Sequence, residues 1–342
     1  MLNAKISGIA SYVPDDILDN EMLSKMVDTN DEWITTRVGI KERHILKEEG
    51  KGSSYMGIRA VRKLLEETGT DPADIDLLIC ATSNPDYRFP STASIIAHDC
   101  ELPNAYAYDI QAACAGFIVT LQAARAYIVS GLYKKVIVVA AEQMSRMTNY
   151  NDRSTCPLFG DAAGAVLIEP TEDPVGIIDG EFHIDGSGLH NLIMKAGGSA
   201  RPTTKETVEA QEHYVYQEGR VVYKNAVRDM LHSSQSVMKR NNLSVEELDW
   251  FVPHQANLRI IEAVGSRIKI PNEKVLVNIE SYGNTSAASI PLCLDDFKHK
   301  LKKGDKILLT AFGAGFTWGA MYLIWAFDTP GKSKTKKKKE KD

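Results

Sequence analysis

Leu77-Leu78-Ile79-Cys80-Ala81 and Lys135-Val136-Ile137-Val138-Val139-Ala140-Ala141 are short, almost uninterrupted apolar runs. Such runs predict strands buried on both faces. Between them, Ala115 to Ser130 is apolar nearly all round and stops at Gly131, which predicts a buried central helix with a glycine cap. Further strands are predicted at Trp250-Phe251-Val252, Lys274-Val275-Leu276-Val277 and Lys306-Ile307-Leu308-Leu309-Thr310. Strands alternating with helical stretches argue an α/β fold. A faint internal repeat accompanies them. Asp71 to Cys80 parallels Ser244 to Val252, and Phe159 to Ile168 parallels Phe312 to Ile324. Two similar halves, residues 1–172 and 173–330, follow from it, with the join near residues 170–176.

Composition narrows the class. The chain has 342 residues, 44% hydrophobic and 25% charged, the balance of a soluble globular protein able to form a core without disulfides or metal. Its five cysteines, Cys80, Cys100, Cys114, Cys156 and Cys293, are scattered and show no C-x-x-C. That reads as free thiols in a reducing cytoplasm. The histidines show no H-x-x-x-H pair, so no metal site is expected. Met1 to Pro14 has neither the basic start nor the apolar run of a signal peptide, and no membrane span is expected. The net charge of −5 conceals an asymmetry, because residues 331–342 hold seven Lys against one Glu and one Asp. That tail is +5 and is expected to be disordered; the −10 remainder argues against nucleic-acid binding.

Cys114 stands in Asp109-Ile-Gln-Ala-Ala-Cys-Ala-Gly-Phe117, just before the predicted buried helix. Unpaired N–H groups at a helix start favour thiolate and should lower its pKa. Small neighbours would let a substrate approach, though a buried core thiol has the same appearance. His254, in Val252-Pro-His-Gln-Ala-Asn257, follows a strand; alone it could equally be a satisfied loop histidine. Asn284, in Ser281-Tyr-Gly-Asn-Thr-Ser-Ala-Ala-Ser289, could alone be a turn or cap residue. Gly313-Ala-Gly-Phe-Thr-Trp-Gly319 is not G-x-G-x-x-G, because Trp318 stands where the third glycine belongs. It suits a turn presenting a backbone N–H to an oxyanion.

In this order, the three segments resemble the Cys-His-Asn triad of the β-ketoacyl-acyl-carrier-protein synthase III family of thiolase-like condensing enzymes. Asp31-Glu-Trp-Ile-Thr-Thr-Arg-Val-Gly-Ile-Lys-Glu-Arg-His44 is similar to that family's amino-terminal signature, and the likeness runs from about Lys5 to Ile324. It implies a thiolase-like duplicated five-layered αβαβα fold. It implies an acyltransferase that condenses a short acyl-coenzyme A primer with malonyl-acyl carrier protein, releasing carbon dioxide and giving 3-oxoacyl-acyl carrier protein, the step that initiates type II fatty acid synthesis. No cofactor is implied beyond coenzyme A, which belongs to substrate and product. Cys114 would be the nucleophile, and His254 and Asn284 would serve the enolate. The N–H groups of Cys114 and Ala314 would form the oxyanion hole, Ala314 standing where the family often has glycine.

The same likeness assigns Trp33 and Arg153 to the adenine, Arg37 to the phosphates and Asn257 to the pantetheine arm. Phe312 would sit near the malonyl carboxylate, and Phe89 would wall the partner's acyl pocket in a homodimer. Lys224, Arg259 and Arg267 would form the carrier-protein patch, with Ser266 where a basic residue is often found. Three alternatives stay open: a related condensing enzyme of polyketide or quinolone type, a non-decarboxylating thiolase, and a catalytically dead carrier-protein binder.

Overall fold

The computed structural model describes residues 2–329. The Lys-rich tail, residues 331–342, lies outside the described residues.

Two sheets form the frame. The first uses β1 (Asn3–Tyr12), β2 (Leu77–Ala81), β3 (Tyr106–Ile110), β4 (Val136–Gln143) and β5 (Asp161–Thr171), in the order β1-β5-β4-β2-β3. The second uses β6 (Gly176–Ile184), β7 (Trp250–Pro253), β8 (Lys306–Gly313) and β9 (Thr317–Ile324), in the order β6-β9-β8-β7. Pairing follows one scheme in both. β2 lies parallel to β4 and β4 antiparallel to β5; β7 lies parallel to β8 and β8 antiparallel to β9.

The continuous apolar runs have a simple cause. Leu77 and Ile79 face a central core, whereas Leu78 and Cys80 face an outer one against the helix α1 (Ser53–Thr68). Likewise Ile307 and Leu309 face the centre, and Leu308 faces an outer layer of α3 (Gly219–Arg240) and α4 (Leu258–Ile268). The middle layer is α2 (Gly116–Val129) and α5 (Ser289–Phe297), whose Phe117, Leu121, Ile290 and Leu294 are fully or almost fully buried. Each such side chain removed from water is worth about 1.5–3 kcal/mol. Helices, sheet, helices, sheet, helices make five layers. α2 ends before Gly131, at φ 75°, whose N–H bonds the Ile128 carbonyl, as the sequence predicts.

One predicted strand does not form. Lys274–Val277 begins in a 3₁₀ turn, Asn272–Lys274, and only Val275 makes a bridge, parallel to Phe251. The Gln255 side chain takes the backbone that a ladder would use. Its amide donates to the Leu276 carbonyl at 3.3 Å, and its oxygen accepts the Asn278 N–H at 3.0 Å. The segment occupies the place in the second sheet that β3 holds in the first.

Candidate active site

The candidate residues stand beyond the carboxyl ends of the parallel strands. Beyond β3 the chain turns through a 3₁₀ segment, Ala113–Ala115, and enters α2, with Cys114 at the centre of that turn. Beyond β7 stands His254, and beyond β8 stands Ala314. Asn284 is held from both sides: its N–H donates to the Leu158 carbonyl at 2.7 Å, and its carbonyl accepts the Gly160 N–H at 3.1 Å. Gly283 before it has φ 64°, and a Cβ there would stand 2.8 Å from the Leu158 oxygen.

Cys114, Asn284, Ser286 and Ala314 line one cavity of about 740 Å³, with Met144, Met147, Phe159 and Leu192 on its apolar wall. Gly313 brings the β8 loop against the cysteine. A Cβ at Gly313 would come within 2.6 Å of the Cys114 nitrogen. Among the described residues neither the Cys114 nor the Ala314 N–H donates a hydrogen bond to another backbone group. Both remain available to a developing oxyanion.

The polar groups have defined states. The Asn284 side-chain oxygen accepts the Ser286 N–H at 2.9 Å, so its NH₂ is the end left to donate. His254 is 1% exposed, and burial drives its pKa down to about 3, so the ring is neutral. Its Nδ1 lies 2.7 Å from Ser289 Oγ, which also accepts the Gln255 N–H at 3.3 Å. The Ser289 hydrogen has no other acceptor among the described residues. With that hydroxyl donating to Nδ1, the neutral ring carries its proton on Nε2. Two neutral donors result.

The thiol departs from expectation. Burial pushes Cys114 up to about 12, the Glu142 carboxylate adds to the rise, and the Ser286 hydroxyl opposes it. A 3₁₀ turn separates the half-buried sulfur from the first residue of α2. The resting form is therefore a thiol. Glu142 was not legible as a site residue: it is 0% exposed and raised to about 7 by burial. An acid just past an apolar strand reads as a solvated strand end, and only the contradiction of a buried charge marks it.

The other predicted residues fall into separate groups. Trp33, on the helix Asp31–Val38, has the Arg37 guanidinium 5.0 Å and the Arg153 guanidinium 5.1 Å from its ring centroid. Arg153 also pairs with Asp28 at 3.0 Å. Asn257 caps α4, its side chain accepting the Arg259 N–H at 2.9 Å. Phe312 is buried in the outer core against Phe316, ring centroids 4.8 Å apart, and is not on the cavity wall. Phe89 is 86% exposed. Lys224, Arg259, Ser266 and Arg267 are exposed on α3 and α4, with Arg259 over the Tyr223 ring.

Residues 108–186 match the family model for 3-oxoacyl-[acyl-carrier-protein (ACP)] synthase III, and residues 238–325 match the model for its C-terminal part. The chain is 57% identical over 327 residues to the beta-ketoacyl-[acyl-carrier-protein] synthase III of Porphyromonas gingivalis, covering 96% of this chain and 98% of that protein. The chain belongs to the synthase III family. It is a condensing acyltransferase of fatty acid synthesis. The crystal structure of the synthase III of Aquifex aeolicus VF5 superimposes with a TM-score of 0.86 at 43% identity, over 94% of this chain and 100% of that one. The priming β-ketosynthase of the R1128 polyketide pathway superimposes with a TM-score of 0.87 at 35% identity, over 95% and 97%. The synthase III fold thus serves fatty acid and polyketide priming alike.

Proposed function

We propose that Cys114 takes an acyl group from an acyl-coenzyme A primer and that His254 and Asn284 then serve the decarboxylation of malonyl-acyl carrier protein. The observation carrying this reading is the meeting of Cys114, Asn284 and Ala314 on one cavity wall, with the Asn284 amide turned to donate. Cys114 Sγ attacks the thioester carbonyl, the coenzyme A thiolate leaves, and the acyl-cysteine remains. Malonyl-acyl carrier protein loses carbon dioxide, and the two donors stabilise the enolate oxygen. The enolate carbon attacks the acyl-cysteine, the Cys114 and Ala314 N–H groups hold the tetrahedral oxyanion, and the 3-oxoacyl product departs.

A neutral His254 and an asparagine suit this role, because both donate and neither needs to remove a proton from malonate. Thiolase chemistry would need a second base at the sulfur. Cys80, Cys100, Cys156 and Cys293 are all buried away from the cavity. The reaction as written uses no resident cofactor or metal.

Coenzyme A would enter past Trp33, Arg37 and Arg153, with Asn257 beside the pantetheine arm. The two guanidinium groups stand too close to Trp33 for a planar base to fit between, so Arg153 must leave Asp28 for adenine to stack. The carrier protein would dock at Lys224, Arg259 and Arg267. A homodimer is supported by β3, the edge strand of the first sheet, and by exposed Tyr87, Phe89 and Tyr106 around it. Free cysteines support a cytoplasmic location; among the described residues no helix is long and apolar enough to cross a membrane.

The test is a screen of acyl-coenzyme A primers with malonyl-acyl carrier protein, following acyl-Cys114 by intact mass and carbon dioxide release separately. Acylation without any condensation would overturn the reading. Sedimentation showing a fully active monomer at micromolar concentration would overturn the dimer.

A further inference from the structure

We infer that Glu142 is the proton store for Cys114, reached through the Ser286 hydroxyl. This deepens the proposed function and rests on it. Glu142 ends the apolar strand β4 and is fully buried, and no side chain of opposite charge pairs with it among the described residues. Its Oε1 accepts the Ser286 hydroxyl at 3.0 Å. Its Oε2 accepts the Ser83 N–H at 3.0 Å and lies 3.4 Å from the Thr82 hydroxyl. The titratable groups facing it are the thiols of Cys114 and Cys80, both raised by its charge.

Ser286 bonds the acid and lines the same cavity wall as Cys114. A hydroxyl has one hydrogen and cannot donate both ways. With Glu142 ionised, that hydrogen points to the carboxylate, and the Cys114 S–H donates to Ser286 Oγ. Deprotonation is then a concerted shift. The S–H proton passes to Ser286 Oγ while the Ser286 proton passes to Glu142. The sulfur is left as thiolate with the Ser286 hydroxyl now donating to it.

Protons balance over the cycle. In acylation the Cys114–carbonyl bond forms, the bond to the coenzyme A sulfur breaks, and Glu142 holds the cysteine's proton. The departing coenzyme A thiolate takes a proton from solvent. In condensation the 3-oxoacyl product leaves Cys114 as thiolate, and Glu142 returns its proton through Ser286. The cycle consumes one solvent proton, as the overall reaction requires. Burial serves this role, because it raises Glu142 to about 7 and so narrows its gap to the thiol. Glu142 acts through Ser286 and is a positioning residue, not one that touches substrate.

The test uses the full chain with Glu142→Gln and, independently, Ser286→Ala. Single-turnover acylation of Cys114 by the best primer is followed by intact mass between pH 6 and 9. Each variant is expected to acylate about a hundredfold more slowly at pH 7, the low end of general base effects, and to recover as pH rises. Carbon dioxide release is measured in the Cys114→Ser background, where the relay has no thiol to serve. Adding Glu142→Gln there should leave decarboxylation within about twofold. Acylation at the wild-type rate in either variant overturns the inference, and so does equal loss of both half-reactions. If Glu142→Gln does not fold, Ser286→Ala alone decides by the same criterion. A wild-type protein that no acyl-coenzyme A acylates would instead overturn the functional reading.

Discussion

Two turn–helix units meet at the cavity, and they are near copies. In the first, Ala113 has φ 47° and opens the 3₁₀ turn Ala113–Ala115 before α2. In the second, Ser286 has φ 50° and opens the turn Ser286–Ala288 before α5. Both adopt a backbone that ordinary residues avoid, a cost of order 1–3 kcal/mol that is tolerated where the surroundings impose it. The middle residue is Cys114 in one and Ala287 in the other. The second unit instead carries hydroxyls: Ser286 reaches Glu142, and Ser289 reaches His254. Strand ends differ in the same way. Gln143 pairs with Asp161 and Gly313 with Thr317, so Glu142 and Phe312 occupy equivalent places. Ala81 pairs with Ala140 and Pro253 with Thr310, so Thr82 and His254 do also. In the proposed reaction one half holds the nucleophile and the proton store, and the other supplies the neutral donors and the Ser286 relay.

That division is broken most severely by Cys114→Ser. Acyl-enzyme, read as a mass increase on the intact protein, should vanish. Malonyl decarboxylation should stay measurable, because the donors are untouched. Loss of both would show that the halves cannot work apart. Asn284→Ala attacks the other side. Decarboxylation should fall about a hundred- to a thousand-fold, as for loss of one oxyanion donor, while Cys114 still acylates within a few-fold. Asn284→Ala that blocked acylation and spared carbon dioxide release would reverse the assignment.

A pH series sharpens the comparison at the buried acid. Glu142 is raised from 4.5 to about 7 in the folded protein. A raised carboxyl gives stability that is fully present below its unfolded pKa and lost as pH rises through the folded one. Wild type should therefore lose stability relative to Glu142→Gln between about pH 4.5 and 7, and the difference should level off above. His254 works in another window: its folded pKa of about 3 lies below the unfolded 6.5, so its cost appears as pH falls below 6.5. Melting wild type and Glu142→Gln across pH 4.5–8 checks the first window. A difference independent of pH would mean that Glu142 titrates alike in the folded and unfolded chain, and would overturn the raised pKa.

The frame was legible in the sequence because its central strands are buried on both faces, which leaves continuous apolar runs such as Leu77–Ala81. The Lys274–Val277 run bridges β7 only at Val275 because the Gln255 side chain takes the Leu276 carbonyl and the Asn278 N–H, and periodicity does not register such a substitute. Cys114 and Asn284 stand in recognisable segments and do share a cavity. Their partners were hidden for a physical reason. Ser286 and Glu142 are 144 positions apart and meet only when the two sheets close on the middle layer. The thiol's pKa was misread because a helix start is visible in sequence, whereas desolvation is a property of the packed cavity.

Smaller effects lie at the exposed rim, where groups are less constrained than in the cavity. Trp33→Ala removes the ring under two guanidinium groups. A cation–π contact is worth about 0.5–2 kcal/mol, so KM for acyl-coenzyme A should rise roughly 2- to 30-fold with kcat little changed. A fall in kcat with KM unchanged would place Trp33 in the chemistry rather than in binding.

The smallest expected effect concerns the carrier patch. Arg259 is exposed on α4 beside Tyr223, and its side chain pairs with no carboxylate among the described residues. The body of the chain is acidic, and docking an acidic carrier needs local positive charge. Exposed ion pairs are worth only about 0.2–1 kcal/mol and are screened by salt. Arg259→Glu should therefore raise KM for malonyl-acyl carrier protein by a few-fold at low ionic strength and by less near 0.5 M salt. Acylation by acyl-coenzyme A should be unchanged, since the carrier takes no part in it. The Arg259 N–H caps on Asn257 through the backbone, and the substitution leaves that bond intact, so a shift in melting temperature is not expected. Equal damage to acylation and condensation would remove Arg259 from the docking surface and assign it to the shared tunnel entrance.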